Sequence, residues 1–551
     1  MANTETSTCT PDRDTASASP PPLGPFASLV PLNRDARERF SSAVQTILDN
    51  PDQWERARNN LRWEHNRHES VSTNSVFSDA EDVAQETTVY AHPAYIGEYL
   101  FQLDHPPRQG AWILGDGRGS FRTDVDFLLT APHTSRAIAG RHALIYHDKR
   151  TRRLLLRANH KVIAPSPSNP GTSIMLNRKS DPQTMELVRR HELRIGTCTY
   201  LFDYTDAATS TQYSVRLGDF MRKIYGEQWQ GINSLTPGLL SVTPDEQSMR
   251  FGKYSWPIGA FAEGTFGQVV AGTTISGEAI AVKRLKFPNG NDLAKIQKVM
   301  AHLQGHPHIV QLLDCFANSD AKIPEAYCFY RPFCIGTLID VYRANIPLQS
   351  FIRLTHQYFA ALAYMHEERH TMHRDIKPSN LGVQHLEPSH GVLLDLDDAI
   401  AAESSTDHQK GTIAYLSPEV VAMKDPSLKI EFSTKWGVEF TESYGPENDN
   451  WALAMSIYHV YFRKIHRTLT TPQLVEFIRE DIQRESEANS SFAPLGDVLL
   501  ALLVVDRSQR MSASMVAREL LLVLEAGQKR GISEASDNNE DTSAKMLSSR
   551  P

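Results

Sequence analysis

The chain has 551 residues, enough for about three or four domains, and 40% of them are hydrophobic, so large packed cores are expected. A formal net charge of −8 excludes a general affinity for nucleic acid or membrane surfaces. Five cysteines without a C-x-x-C pair exclude a zinc site and a disulfide framework, and the longest apolar run, Val498 to Val505, is too short to cross a bilayer.

The chain opens on MANTETSTCTPDRD, which lacks a basic region followed by an apolar run, so no secretory signal is expected and the protein reads as intracellular. Residues 1–32, rich in Ser, Thr, Pro and Ala with a Pro20-Pro21-Pro22 run, are expected to be disordered. Residues 33–64 read as an amphipathic helical segment, with Phe40, Val44, Ile47 and Leu48 at helical spacing and Trp54, Leu61 and Trp63 following. Residues 65–87 are polar and read as a linker.

From about residue 88 to 205 the pattern turns to short β segments. Tyr99–Leu103, Ala111–Leu114, Asp126–Leu129, Ala143–Tyr146, Arg153–Arg157 and Cys198–Phe202 are the strand candidates, separated by Gly, Asp, Asn and Pro clusters. Many short strands at regular spacing predict a β-sandwich. Between Arg136 and Arg194 there are 13 Lys and Arg against 4 Asp and Glu, a local balance of +9 that suits an anionic partner or a solvated face.

Trp112-Ile113-Leu114-Gly115-Asp116-Gly117-Arg118, Asp124-Val125-Asp126-Phe127 and Ile138–Ile145 resemble a forkhead-associated (FHA) domain. The resemblance implies phosphothreonine-containing partners, bound on loops at one end of the sandwich. It points to Arg118, Arg141 and Asn159, and a guanidinium fork suits phosphate because it donates paired charge-assisted hydrogen bonds. Two departures weaken the pattern. Ala139 stands where the family usually has serine, and Asn159-His160 lacks the family's glycine. The alternative is a sandwich that only supports the protein.

Residues 206–250 show no clear periodicity and read as a linker. Strands then begin near Gly252, and helical patterns dominate after Phe351, which predicts a small β lobe on a larger α lobe. Residues 527–551 read as a disordered tail.

The chemistry concentrates in His373-Arg374-Asp375-Ile376-Lys377-Pro378-Ser379-Asn380. Asp375 can accept the proton of an attacking hydroxyl, Lys377 can neutralise a moving phosphoryl group, and Asn380 can hold a metal ion. With this run, the glycine-rich stretch from Ala262 through Gly264 and Gly267 to Val269, the strand Ile280-Ala281-Val282-Lys283 and Asp395-Leu396-Asp397 resemble a protein kinase over residues 251–526. Gly411–Glu419, Asp449–Ala454 and Arg510 complete the order. The resemblance implies a two-lobed α+β fold, ATP on Lys283 and the loop backbone, Mg2+ on Asn380 and Asp395, and a buried Glu419–Arg510 pair. Lys377 and Gly411-Thr412 imply serine/threonine specificity. Arg374 beside Asp375 implies control by phosphate on the activation segment, with Ser404, Ser405 and Thr406 as candidates beside Thr412.

The helix that should supply a carboxylate to Lys283 has Ile296 or Gln297 at the expected place, and Asp292 lies about a turn too early. Asp397 replaces a glycine, which predicts a less permissive loop. The whole arrangement resembles fungal FHA-containing kinases, including the DNA-damage checkpoint group, and a nuclear or cytoplasmic location is expected by that analogy. The expected activity is transfer of the γ-phosphate of Mg-ATP to protein hydroxyls, with no direct nucleic-acid or membrane partner. Two alternatives stand beside it: a pseudokinase scaffold without catalysis, and a small-molecule phosphotransferase, whose Asp-x-Asp metal motif Asp395-Leu396-Asp397 resembles.

Overall fold

The structure, a computed structural model, describes residues 23–66, 93–107, 110–118, 125–166, 169–180, 182–227, 229, 231, 240–241, 248–257, 262–264, 267–286, 290–318, 325–343, 345–464 and 466–527. Residues 1–22, the 67–87 stretch and the 528–551 tail lie outside the described residues. The chain divides into two compact units, one reaching Trp229 and the other holding most of the remaining residues.

The first unit is built on two β-sheets. One has seven strands in the order Leu61–His65, Tyr95–Phe101, Ala27–Pro31, Cys198–Tyr204, His191–Ile195, Val162–Ser166 and Asn169–Leu176. The other has five, with Ala111–Gly115, Ala143–His147 and Leu154–Ala158 among them. Side chains from both sheets, including the fully buried Trp112, Tyr200 and Phe202, fill one hydrophobic core. Aromatic packing dominates it. The Trp112 ring meets Phe26 at 5.7 Å and Phe101 at 5.4 Å, both edge-on.

Three expectations for this region are corrected. Ala27–Pro31, inside the stretch expected to be disordered, is an interior strand paired on both sides, with Tyr204–Tyr200 and with Phe101–Tyr99. Its five residues, ASLVP, are too few to stand out against the surrounding Pro and Ser. The expected helical segment holds as helix for Arg34–Asp49 and Glu55–Asn59, but Leu61–His65 is an edge strand against Tyr95–Tyr99. Asn33 starts the first helix by accepting a hydrogen bond from the Ala36 N–H (3.0 Å), and the helix buries Ala36, Phe40, Ala43, Val44 and Ile47 along one stripe. Lastly, the expected linker contains the helix Thr211–Tyr225, capped by Ser210 and buried through Tyr213, Leu217, Phe220 and Met221. Tyr213, Leu217 and Met221 recur at four-residue spacing and Gly226 closes the C-terminal end, so the helical signal was present in the sequence.

The second unit has a small lobe whose sheet runs Ser248–Phe251, Tyr254–Pro257, Gly267–Thr274, Ala279–Lys286, Glu325–Arg331 and Gln311–Asn318, with Ala262–Gly264 folded back on Gly267–Val269. One helix, Gly290–His302, accompanies this sheet. The larger lobe is helical around Glu447–Phe462, nearly every residue of which is buried. A helix apolar on all sides belongs at the centre of a lobe, and this one packs against Leu348–Ala363 and Ala493–Leu502. The hairpin Leu381–Leu386 and Ser389–Leu393 delivers Asp395 to the site. Among the described residues no helix is long and apolar enough to cross a membrane.

Candidate active site

The buried carboxylate of Asp449, in the first turn of the central helix, organises the catalytic loop. It accepts from the backbone N–H groups of His373 (2.7 Å) and Arg374 (2.8 Å), and His366 Nε2 lies 3.0 Å away. These contacts hold Arg374 at φ +68°, a left-handed conformation that costs a non-glycine residue free energy and persists because the surroundings impose it. Burial opposes the charge on Asp449, but the hydrogen bond from His366 and nearby imidazoles outweigh it, so its carboxyl stays below the usual carboxylate range.

Asp375 emerges from that turn with both oxygens engaged. Lys377 Nζ donates to Oδ2 at 2.7 Å, and Thr412 Oγ1 donates to Oδ1 at 2.7 Å. Asn380, in a short turn begun by Pro378, donates through Nδ2 to the Asp375 carbonyl (2.8 Å). Its own carbonyl accepts from the Leu394 N–H (2.9 Å), and His373 Nε2 reaches the Leu394 carbonyl (3.0 Å). The loop and the chain leaving the following hairpin are thereby joined immediately before Asp395.

Lys283 lies opposite Val269 and Cys328 in the small-lobe sheet. Its Nζ donates to Asp395 Oδ1 at 2.7 Å and to Asp397 Oδ2 at 2.6 Å. Burial disfavours the ammonium charge, yet the two carboxylates overcome it and hold Lys283 above its ordinary range. Burial and the neighbouring Asp395 push the Asp397 carboxyl upward against the pull of Lys283. Two carboxylates facing one ammonium leave an excess of negative charge. Asp395 and Asn380 carry the kind of oxygen donor that a hard divalent cation takes.

The sequence readings fare differently around this site. Lys283 meets Asp395, Asn380 meets Asp375 and joins by its carbonyl the residue before Asp395, and Ala262–Gly264 pairs with Gly267–Val269 as a hairpin whose tip, residues 265–266, lies outside the described residues. In this structure the left-handed residue of the loop is Asp395 (φ +58°), not Asp397. Leu396 is buried in the apolar role expected of it. Sequence reasoning missed Asp397 as a partner of Lys283, although a second acid two residues after Asp395 was the visible signal.

In the activation segment, Arg374 Nε donates to the Asp398 carbonyl (2.7 Å), and its Nη1 lies 3.5 Å from the carboxylate of Asp407. Ser404 and Thr406 are exposed, while Ser405 pairs by backbone with Tyr444. Glu419 and Arg510 form a two-pronged buried pair at 2.6 and 2.7 Å.

In the first unit, Arg118 is turned toward the protein. Its Nε donates to Asp116 Oδ2 (2.7 Å), and its Nη2 donates to the carbonyls of Ser135 (2.5 Å) and Ile138. The Asn159 amide donates to the Arg141 carbonyl (3.4 Å), so these two candidates are neighbours. His142 is buried between loops, with Nδ1 accepting from the Ala139 N–H (3.2 Å) and Nε2 at the Lys161 carbonyl (3.1 Å). Burial lowers its pKa, in keeping with a neutral ring that accepts at one nitrogen and donates at the other.

Residues 258–521 match the family model for the protein kinase domain, and the chain carries such a domain. It is 30% identical over 166 residues to a G-type lectin S-receptor-like serine/threonine-protein kinase of Arabidopsis thaliana, covering 28% of this chain and 20% of that protein. Serine/threonine-protein kinase ULK3 of Xenopus laevis is 24% identical over 287 residues, covering 47% of this chain and 56% of that one. The chain thus spans between a fifth and just over half of the length of these two curated relatives. A crystal structure of Rad53 1–466 in complex with AMP-PNP aligns at a TM-score of 0.39 and 17% identity, over 75% of this chain and 91% of that one.

Proposed function

We propose that this protein is a serine/threonine protein kinase that transfers the γ-phosphate of ATP to protein hydroxyls. The observation that carries the reading is the hydrogen bond from the Thr412 hydroxyl to Asp375 Oδ1 at 2.7 Å, with the Lys377 ammonium on the other oxygen. An aliphatic hydroxyl and a cation already sit against Asp375 in the arrangement that a substrate serine and a moving phosphoryl group require. Asp375 orients the attacking hydroxyl and takes its proton. Lys377 lies where negative charge gathers during transfer. Lys283 and the backbone of the Ala262–Val269 hairpin are the groups that hold the nucleotide phosphates. Asn380 and Asp395 are the residues that would hold Mg2+, which would supply positive charge against the phosphate oxygens.

The first unit is proposed as an FHA-like module that brings phosphothreonine-containing partners to the kinase. Its two-sheet architecture and the anchoring of loops by His142 support this. Arg118 is paired inward, so the reading places more weight on Arg141 and Asn159, which are neighbours, as phosphate contacts. The nucleus or cytoplasm is the proposed location, on the sequence resemblance to checkpoint-type kinases.

The pseudokinase reading rests on one specific observation: past its first turn, the helix Gly290–His302 has no acid to offer Lys283. Incorporation of radiolabelled phosphate from ATP into a generic basic protein separates the two. Wild type is expected to label the substrate and Asp375→Asn to lose about a thousandfold or more of that rate. Label that is absent, or indifferent to the substitution, refutes the kinase reading.

A further inference from the structure

The helix Gly290–His302 has Asp292 as its only acid, and the places expected to serve Lys283 do not hold one. Ile296 is buried in the hydrophobic core, and Gln297 directs its Nε2 at Cys315 Sγ (3.1 Å). Lys283 nevertheless has two carboxylates. One of them, Asp395, is also the acid that would hold a metal ion, and lysine and metal would then share it. The other, Asp397, then remains as the dedicated partner. The helix also reaches this acid from the opposite side, because Lys295 Nζ donates to the Asp397 backbone carbonyl at 3.1 Å.

We propose that Asp397 is the positioning residue of Lys283, doing from the loop what a helix glutamate would otherwise do, and that Lys295 ties the helix to it. The polarity of the link is reversed. A helix lysine grips the loop backbone, and the loop carboxylate grips the strand lysine. A small side-chain amide or a glycine at 397 leaves Lys283 with Asp395 alone, so lysine and metal compete for one carboxylate. This inference rests on the kinase reading for its catalytic consequence, but not for its effect on nucleotide binding.

The register of the sheet supplies a rescue. Cys315 lies opposite Cys328, and Cys328 lies opposite Lys283, so all three project from one face of the sheet. Gln297 touches the first of them, which places a carboxylate introduced at 297 over the face that bears Lys283.

The test uses the full-length chain as wild type, Asp397→Asn, Asp397→Gly, Gln297→Glu and the two doubles that combine Gln297→Glu with a change at 397. ATP affinity is measured by calorimetry with Mg2+, and kcat and KM for ATP are measured alongside it. Each single change at 397 is expected to lower kcat/KM for ATP about tenfold and to weaken ATP binding, with the thermal midpoint little changed. Adding Gln297→Glu is expected to recover most of both losses. Three results overturn the proposal: wild-type behaviour in Asp397→Asn, losses that Gln297→Glu leaves untouched, or recovery of Asp397→Asn by raised Mg2+ alone, which marks Asp397 as a metal ligand. Should wild type transfer no phosphate in an Asp375-dependent way, the kinase reading fails by itself, and the ATP affinities still decide the role of Asp397.

Discussion

Breaking the Glu419–Arg510 pair is expected to be the most damaging single polar change in the kinase domain. The two side chains are 3% and 0% exposed and meet through two parallel hydrogen bonds. Removing one partner of such a pair strands the other charge and costs about 3–5 kcal/mol. The two sides of the pair differ. Arg510 also donates to the carbonyls of Val504 (2.8 Å), Glu447 (3.1 Å) and Val505 (3.2 Å), and its guanidinium lies 5.0 Å from the centre of the Trp451 ring. After Glu419→Gln the guanidinium keeps those carbonyl acceptors and one of its two oxygen acceptors at 419, while the amide NH2 faces its other N–H, so the loss falls at about 2 kcal/mol. Arg510→Met strands the Glu419 carboxylate and three carbonyls together, and the loss rises to about 4 kcal/mol, or about 10 °C in Tm. Native-state hydrogen exchange of the Glu447–Phe462 amides in the full-length chain reads these values directly. The double variant supplies the coupling energy, expected at about 2 kcal/mol. Single losses below about 1 kcal/mol, or effects that simply add, would refute the reasoning.

The remaining predictions test the catalytic loop, the acid response and the sandwich core. Thr412→Val removes the donor on Asp375 Oδ1 and is expected to lower kcat about tenfold with KM for ATP unchanged; a change confined to KM contradicts the assigned geometry. Glu419 and Asp449 both titrate below the usual carboxylate range in the folded protein, burial being outweighed by Arg510 in one case and by the hydrogen bond from His366 in the other. Their contribution is therefore complete above the ordinary carboxylate pKa and is lost as pH falls through the depressed folded values. Protection of the central helix should hold from neutral pH down to about pH 5 and decline below it, less steeply in Glu419→Gln; equal slopes in the two proteins would exclude Glu419 as a source. Trp112→Ala, which empties a fully buried site between Phe26 and Phe101, is expected to cost about 3–5 kcal/mol, read from amide exchange in Cys198–Tyr204. Exchange within about 1 kcal/mol of wild type would show that the site collapses without penalty.

The order of the kinase motifs was readable because each is a short contiguous run whose residues perform one chemical task. The catalytic loop from His373 to Asn380 is such a run, and its internal bonds, Lys377 to Asp375 and Asn380 to the Asp375 carbonyl, span 2 and 5 residues. The sandwich strands were readable wherever alternation ran for several residues between turn formers. Ala27–Pro31 was not, because its identity as a strand comes from partners at 99–101 and 200–204, and a five-residue segment carries too little pattern of its own. Arg118 shows the same limit. Its position near Gly117 was plain, but the direction of its guanidinium depends on Asp116, Ser135 and Ile138 together.

By itself, then, the sequence determined which chemical groups the protein owns: an acid and a lysine two residues apart in one loop, a lysine in an apolar strand, and a pair of acids after an apolar run. Tertiary structure alone decided which of them meet. Lys283 finds its carboxylates 112 and 114 residues away, and the helix that was expected to offer it an acid at 296 or 297 instead sends Lys295 to the Asp397 carbonyl. The physical reason is range. Backbone spacing dictates neighbours within a turn or a strand, whereas a buried ammonium takes whichever carboxylate the packing of two lobes brings within hydrogen-bonding distance.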